Sequence, residues 1–176
     1  MDWLTMRTLF AFDMATHPAV ARWAPIALRL IVGYGFMEHG WAKLARGPET
    51  FTHILQALGM PLPGLLAWGT ILVELIGGAA VLLGAFVPLV SIPMAVVLLV
   101  AIVTVHLPNG FSSIKLEDVT AAGAQFGPPG YETDLLYLAC LVALVVGGSG
   151  PWAIDRLVAT RTEHSKSGTS IGDQRI

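Results

Sequence analysis

Arg29, Glu38, His39 and Lys43 all fall within one apolar stretch, Arg29-Leu-Ile-Val-Gly-Tyr-Gly-Phe-Met-Glu-His-Gly-Trp-Ala-Lys43-Leu44. An ionisable side chain in hydrocarbon costs about 2.5–3.5 kcal/mol on insertion scales, so each of these groups needs a partner or a use. At 3.6 residues per turn, Gly33, Phe36, Gly40 and Lys43 share the face of Arg29. His39 lies on the edge of that stripe, and Glu38 points to the opposite side. The two glycines would let a neighbouring helix, or a ligand, approach the backbone closely. Glu74, followed by Gly77-Gly78, lies near the middle of the next apolar segment. In an antiparallel neighbour it comes within reach of Arg29, and an Arg29–Glu74 pair would satisfy both charges. Such a pair serves a ligand site or merely fixes helix register.

A second group gathers at the other end of the same segments. His39 and Lys43 close the first span, His106 closes the third, and Glu132 opens the fourth. A cluster of this composition can bind an anion or a quinone head group, exchange protons, or coordinate a cofactor. For Lys43 alone, snorkelling to the interface is an equally simple reading. His39 and His106 come from separate helices without close ligand spacing; no metal centre is assigned, and haem or metal ligation stays open. The single cysteine, Cys140, excludes a dithiol relay within the chain and reads as a small core residue.

The elements that hold these groups follow from composition. Of 176 residues, 55% are hydrophobic and 12% charged, which is too apolar for an ordinary soluble domain. Mean hydropathy is +0.69. A net charge of −2 without a basic stripe gives no basis for nucleic-acid binding. Four spans of about 20 residues fit the length. The first covers Ala24 to Leu44; the second and third come from Leu65 to Leu107, broken near Gly84-Ala-Phe-Val-Pro88; the fourth runs from Tyr131 to Gly147. Pro93 is tolerated inside the third. Arg7 and Arg22 precede the first span, and Arg156, Arg161, Lys166 and Arg175 follow the last, so the positive-inside rule puts both termini in the cytoplasm.

The predicted fold is therefore all-α: a four-transmembrane-helix bundle with a short amphipathic helix and a long loop on its outer face. Pro48 and Glu49 open that short helix and Gly59 closes it. The long loop, Pro108 to Gly130, reads as a lid, with Phe111, Ile114 and Phe126 folding back over the bundle. Residues 1–21 are predicted to lie at the membrane surface rather than to form a cleaved signal peptide. Residues 22–155 form the membrane domain, and the polar residues 156–176 form a disordered tail.

The pattern Arg29-x3-Gly33-x2-Phe36-x2-His39-Gly40-x2-Lys43-Leu44 resembles the opening signature of the DoxX family of small membrane proteins. Leu58-Gly59-Met60-Pro61, Glu74-x2-Gly77-Gly78, Gly84, His106 and Gly130-Tyr131-Glu132 follow in the family's order, so the likeness covers roughly residues 22–155. The resemblance implies a four-helix bundle in the bacterial inner membrane. It also implies a link to redox or sulfur metabolism, since relatives include small subunits of thiosulfate:quinone oxidoreductases. The expected function is handling of a quinone or a small anionic, sulfur-type reductant at the outer face. His39, His106 and Glu132 would exchange protons, Arg29 and Lys43 would supply positive charge, and Glu74 would hold Arg29. The rival expectation is a non-catalytic anchor or scaffold for a soluble redox or sulfurtransferase partner, with membrane lipid around it and homo-oligomerisation open. A third is a small-solute carrier, for which four spans are few and no internal repeat is present.

Overall fold

Proline opens most of the helices, where its missing N–H is one the first turn would leave unpaired anyway. The computed structural model describes residues 18–157, and the surface-segment and tail expectations for residues 1–17 and 158–176 lie outside them. After a short turn, α1 (Pro18–Ala21), the chain forms α2 (Ala24–Ala45) and the outlying α3 (Pro48–Ala57). Then come α4 (Pro63–Leu83) and α5 (Val87–Asn109), both long and apolar enough to cross a membrane. A hairpin of β1 (Leu116–Thr120) and β2 (Gly123–Phe126) precedes α6 (Glu132–Gly147). The break between α4 and α5 falls where the sequence placed it, at Gly84 to Phe86. The described residues Ile154–Leu157 are helical, at the start of the stretch expected to be a tail.

One core joins α2, α4, α5 and α6: Val32 and Phe36, Val81, Val87, Met94 and Leu98, and Leu141 and Leu144. Cys140 packs half-buried against it, as a small core residue would. Outside this seam, Leu30, Ile31, Leu72, Ile76, Leu89, Ile92, Leu136 and Val142 are exposed, an apolar coat suited to lipid rather than water.

Small residues set how closely α2 and α4 approach. A Cβ added at Gly33 would sit 2.8 Å from the Gly78 carbonyl oxygen, and one at Gly78 would sit 2.7 Å from the Gly33 carbonyl oxygen. Gly40 is covered by Leu75 and Glu74, and Gly77 by Met94. The glycine stripe, expected to admit a neighbouring helix or a ligand, is filled by neighbouring helices. Gly33→Val should force the two backbones apart and lower stability by about 2 kcal/mol, measured as an unfolding midpoint in detergent.

The long loop departs from the all-α expectation. β1 and β2 pair antiparallel, with a register irregularity between Leu116 and Asp118, and every strand residue is exposed. The loop's base is stapled to α6: Tyr131 N–H donates to the Gly110 carbonyl (3.1 Å) and Glu132 N–H to that of Phe111 (2.9 Å). Phe111 meets Tyr131 edge to face with centroids 5.6 Å apart, while Ile114 and Phe126 stay exposed. The hairpin stands off the helices instead of folding back as a lid.

Candidate functional site

The Gly33–Gly78 crossing fixes the antiparallel register of α2 on α4, and that register decides which charges meet. It lays Gly40 against Glu74 and Leu75, and Arg29 against Val81 and Leu82. The predicted Arg29–Glu74 pair does not form. Glu74 lies eight residues, about 12 Å of helix, from Leu82, where Arg29 actually docks.

Glu74 instead takes Lys43. The Lys43 ammonium donates to both carboxylate oxygens at 2.7 Å, with the Glu74 side chain 6% and the Lys43 side chain 22% exposed. On its other side the ammonium lies 5.2 Å from the centre of the Phe51 ring, a cation–π contact brought in by α3. The amphipathic helix predicted at Pro48 therefore does more than lie on the surface: it covers the ion pair. Glu74 occupies a π-helical turn, Val73–Gly77, a winding that recurs at functional sites.

Arg29 is a structural clasp. Its Nε donates to the carbonyls of Val81 and Leu82 (both 3.2 Å), Nη2 again to Leu82 (2.7 Å), and Nη1 to Ser149 and Pro151 (both 3.1 Å). These are carbonyls where α4 ends, Val81 also accepting from Gly84 N–H (3.0 Å), and those of the turn after α6, and a cation there also complements the helix dipole. Its donors are thus turned to backbone carbonyls at this end of the bundle, away from Glu74. Beside it, Gly84 takes a left-handed φ of +66°, and a Cβ there would meet Ala153 at 2.6 Å. Asp155 completes this end by accepting from Phe86 N–H (2.7 Å) and Val87 N–H (3.2 Å), capping α5 from a distant part of the chain.

At the opposite end of α5, His106 closes a second π-turn, Ile102–His106, and its Nδ1 is hydrogen-bonded to Asp134 of α6. Asp134, 10% exposed at its side chain, was missed in the sequence in favour of Glu132. Helical periodicity carried the signal: Asp134 is seven residues before the core residue Leu141, on the same face, whereas Glu132 lies on the opposite face. Glu132, expected to exchange protons, accepts from Ser113 N–H at 3.0 Å and so anchors the loop. His39 is exposed on α2, close enough to act electrostatically on Glu74, and Glu38 is exposed beside it.

The six predicted residues thus divide. Lys43, Glu74, His39 and His106 belong to the end that carries α3 and the hairpin; Arg29 belongs to the other; Glu132 holds the loop. Two open recesses of about 330 and 450 Å³ lie at the Arg29 end, lined by Arg22, Arg156 and neighbours, away from both acid–base couples. Among the described residues no group of three His, Cys, Asp or Glu side chains is arranged to hold a metal ion.

Comparison with known proteins agrees with this layout. The chain matches the DoxX family over residues 24–107, which takes in α2 to the end of the second π-turn. It is 29% identical over 140 residues to "Uncharacterized membrane protein Rv3486" of Mycobacterium tuberculosis, covering 77% of this chain and 82% of that one. It is 31% identical over 133 residues to "Putative oxidoreductase CatD" of Bacillus subtilis, covering 76% of this chain and 85% of that one. No solved structure matches. A relative at that identity, aligned over most of its length, together with the family match over residues 24–107, establishes that this chain belongs to the DoxX family of membrane proteins.

Proposed function

We propose that the protein is a redox-associated component of a bacterial inner membrane, which α2, α4, α5 and α6 cross with both termini in the cytoplasm, and that it handles a quinone at its outer end. The observation that carries this reading is the pair of acid–base couples, Lys43–Glu74 and His106–Asp134, each with one member on a π-turn. Buried ionisable groups within membrane helices mark proton or substrate paths by default. The printed name of the Bacillus relative, an oxidoreductase, points the same way. Because Glu74 already neutralises Lys43, a small anionic reductant would have to open that pair, which favours a neutral quinone head group over a sulfur-type anion. In this reading His106 exchanges the substrate proton, and His39 contacts the head group from the exposed face of α2.

The test is titration of a short-chain ubiquinone into the protein in lipid nanodiscs, alongside native mass spectrometry for retained quinone. His106→Gln and His39→Ala should each weaken binding about tenfold or more, the effect of losing one hydrogen bond to the head group. Wild-type protein that neither retains nor binds quinone would reject the reading. The rival, an anchor for a soluble redox or sulfurtransferase enzyme, is favoured by Leu116, Val119 and Phe126, exposed on a hairpin that stands clear of the helices. It predicts a co-purifying enzyme that is lost when the hairpin is replaced by a short Gly-Ser linker.

A further inference from the structure

We infer that Asp134 is a positioning residue that holds His106 in its Nδ1–H tautomer, leaving Nε2 as the proton acceptor for a weakly acidic hydroxyl of the hydroquinone class; the substrate part rests on the quinone reading above. An ionised carboxylate only accepts hydrogen bonds, so a contact between Asp134 and Nδ1 requires the proton to sit on Nδ1. In a neutral imidazole the lone pair is then on Nε2, the reverse of the form that predominates for histidine in water.

Helix geometry places both members of the couple at helix ends of complementary sign. Asp134 is in the first turn of α6, where the helix dipole complements a negative charge. His106 is in the last turn of α5's π-segment, where the dipole stabilises the imidazolium that forms when Nε2 takes up a proton. The two helices run antiparallel and pack together, so both ends serve the same pair. A quarter of the His106 side chain remains exposed, against a tenth of Asp134, and Nε2 has no hydrogen-bond partner among the described residues. The step is a proton transfer alone. The substrate O–H bond breaks, the Nε2–H bond forms, the electron pair stays on oxygen, and Asp134 balances the imidazolium until the proton leaves to water.

The tautomer can be read without any substrate. The chain has five histidines, and 15N-histidine-labelled protein in nanodiscs, compared with His106→Gln, assigns the His106 ring nitrogens by NMR. The expected result is Nδ1–H at about tenfold excess or more, the bias supplied by a hydrogen bond to a charged acceptor. Asp134→Asn should erase that excess and Asp134→Glu should keep most of it. If the asparagine variant does not fold, the wild-type spectrum decides. A wild-type His106 carrying its proton on Nε2 would overturn the inference. Adding a short-chain ubiquinol should then shift the Nε2 resonance; a correct tautomer with no response to ubiquinol rejects the quinone reading and leaves the positioning role of Asp134 standing.

Discussion

Lys43→Met should destabilise the folded protein by about 3–5 kcal/mol, because it leaves the Glu74 carboxylate without its cation inside the protein. The Glu74 side chain is 6% exposed, and among the described residues only Lys43 donates to its oxygens. Glu74→Gln is the milder change. The lysine side chain, 22% exposed on a flexible stem, can carry its ammonium outward, so roughly 1 kcal/mol is expected. The double variant Lys43→Met/Glu74→Gln should recover at least half of the single lysine loss, since no charge is then buried. Denaturant unfolding in mixed micelles would give the four corners of this cycle. A lysine-variant cost below about 1 kcal/mol would mean that Glu74 takes up a proton when its partner is removed, and the couple would then be a site of proton uptake.

Arg29→Met should cost about 4 kcal/mol, measured the same way, by taking the guanidinium donors away from four carbonyl groups in two parts of the chain, of which only Val81 keeps a backbone donor, Gly84 N–H, among the described residues. Lysine at this position should rescue little. An ammonium is a point donor, whereas the observed contacts spread over three nitrogens of a planar fork, with Val81 and Leu82 bound on one edge and Ser149 and Pro151 on the other. If Arg29→Lys proved as stable as wild type, the charge alone would be holding this end together and the fork geometry would be incidental.

The four long helices, their breaks at Gly84 and Gly147, and α3 were legible because each rests on local chemistry: apolar length, a leading proline, a closing glycine. The partners of the charges were not, because they depend on how far one helix slides along another. Eight residues of slide separate the expected Arg29–Glu74 pair from the observed Arg29–Leu82 contact. Gly33 and Gly78, read together as a crossing point, would have supplied that register. The choice of Glu132 over Asp134 was a matter of face, and the spacing to Leu141 held the answer. The π-turns at Glu74 and His106 have no evident local cause in the sequence, and the hairpin was hidden because its strands are only five and four residues long.

Arg29 also has a timetable. Its carbonyl partners at Val81 and Leu82 are synthesised 52 and 53 residues later, but those at Ser149 and Pro151 come 120 and 122 residues later. At 5–20 residues per second, a newly made first helix waits roughly 6–24 s before its guanidinium can be fully engaged. Through that interval the helix carries an incompletely satisfied cation near its starting end, which the proposed orientation places at the cytoplasmic headgroups. The charge then acts as a tether that keeps α2 from sliding deeper until the last helix arrives to relieve it. Premature termination after α5 would leave that guanidinium without its Ser149 and Pro151 acceptors.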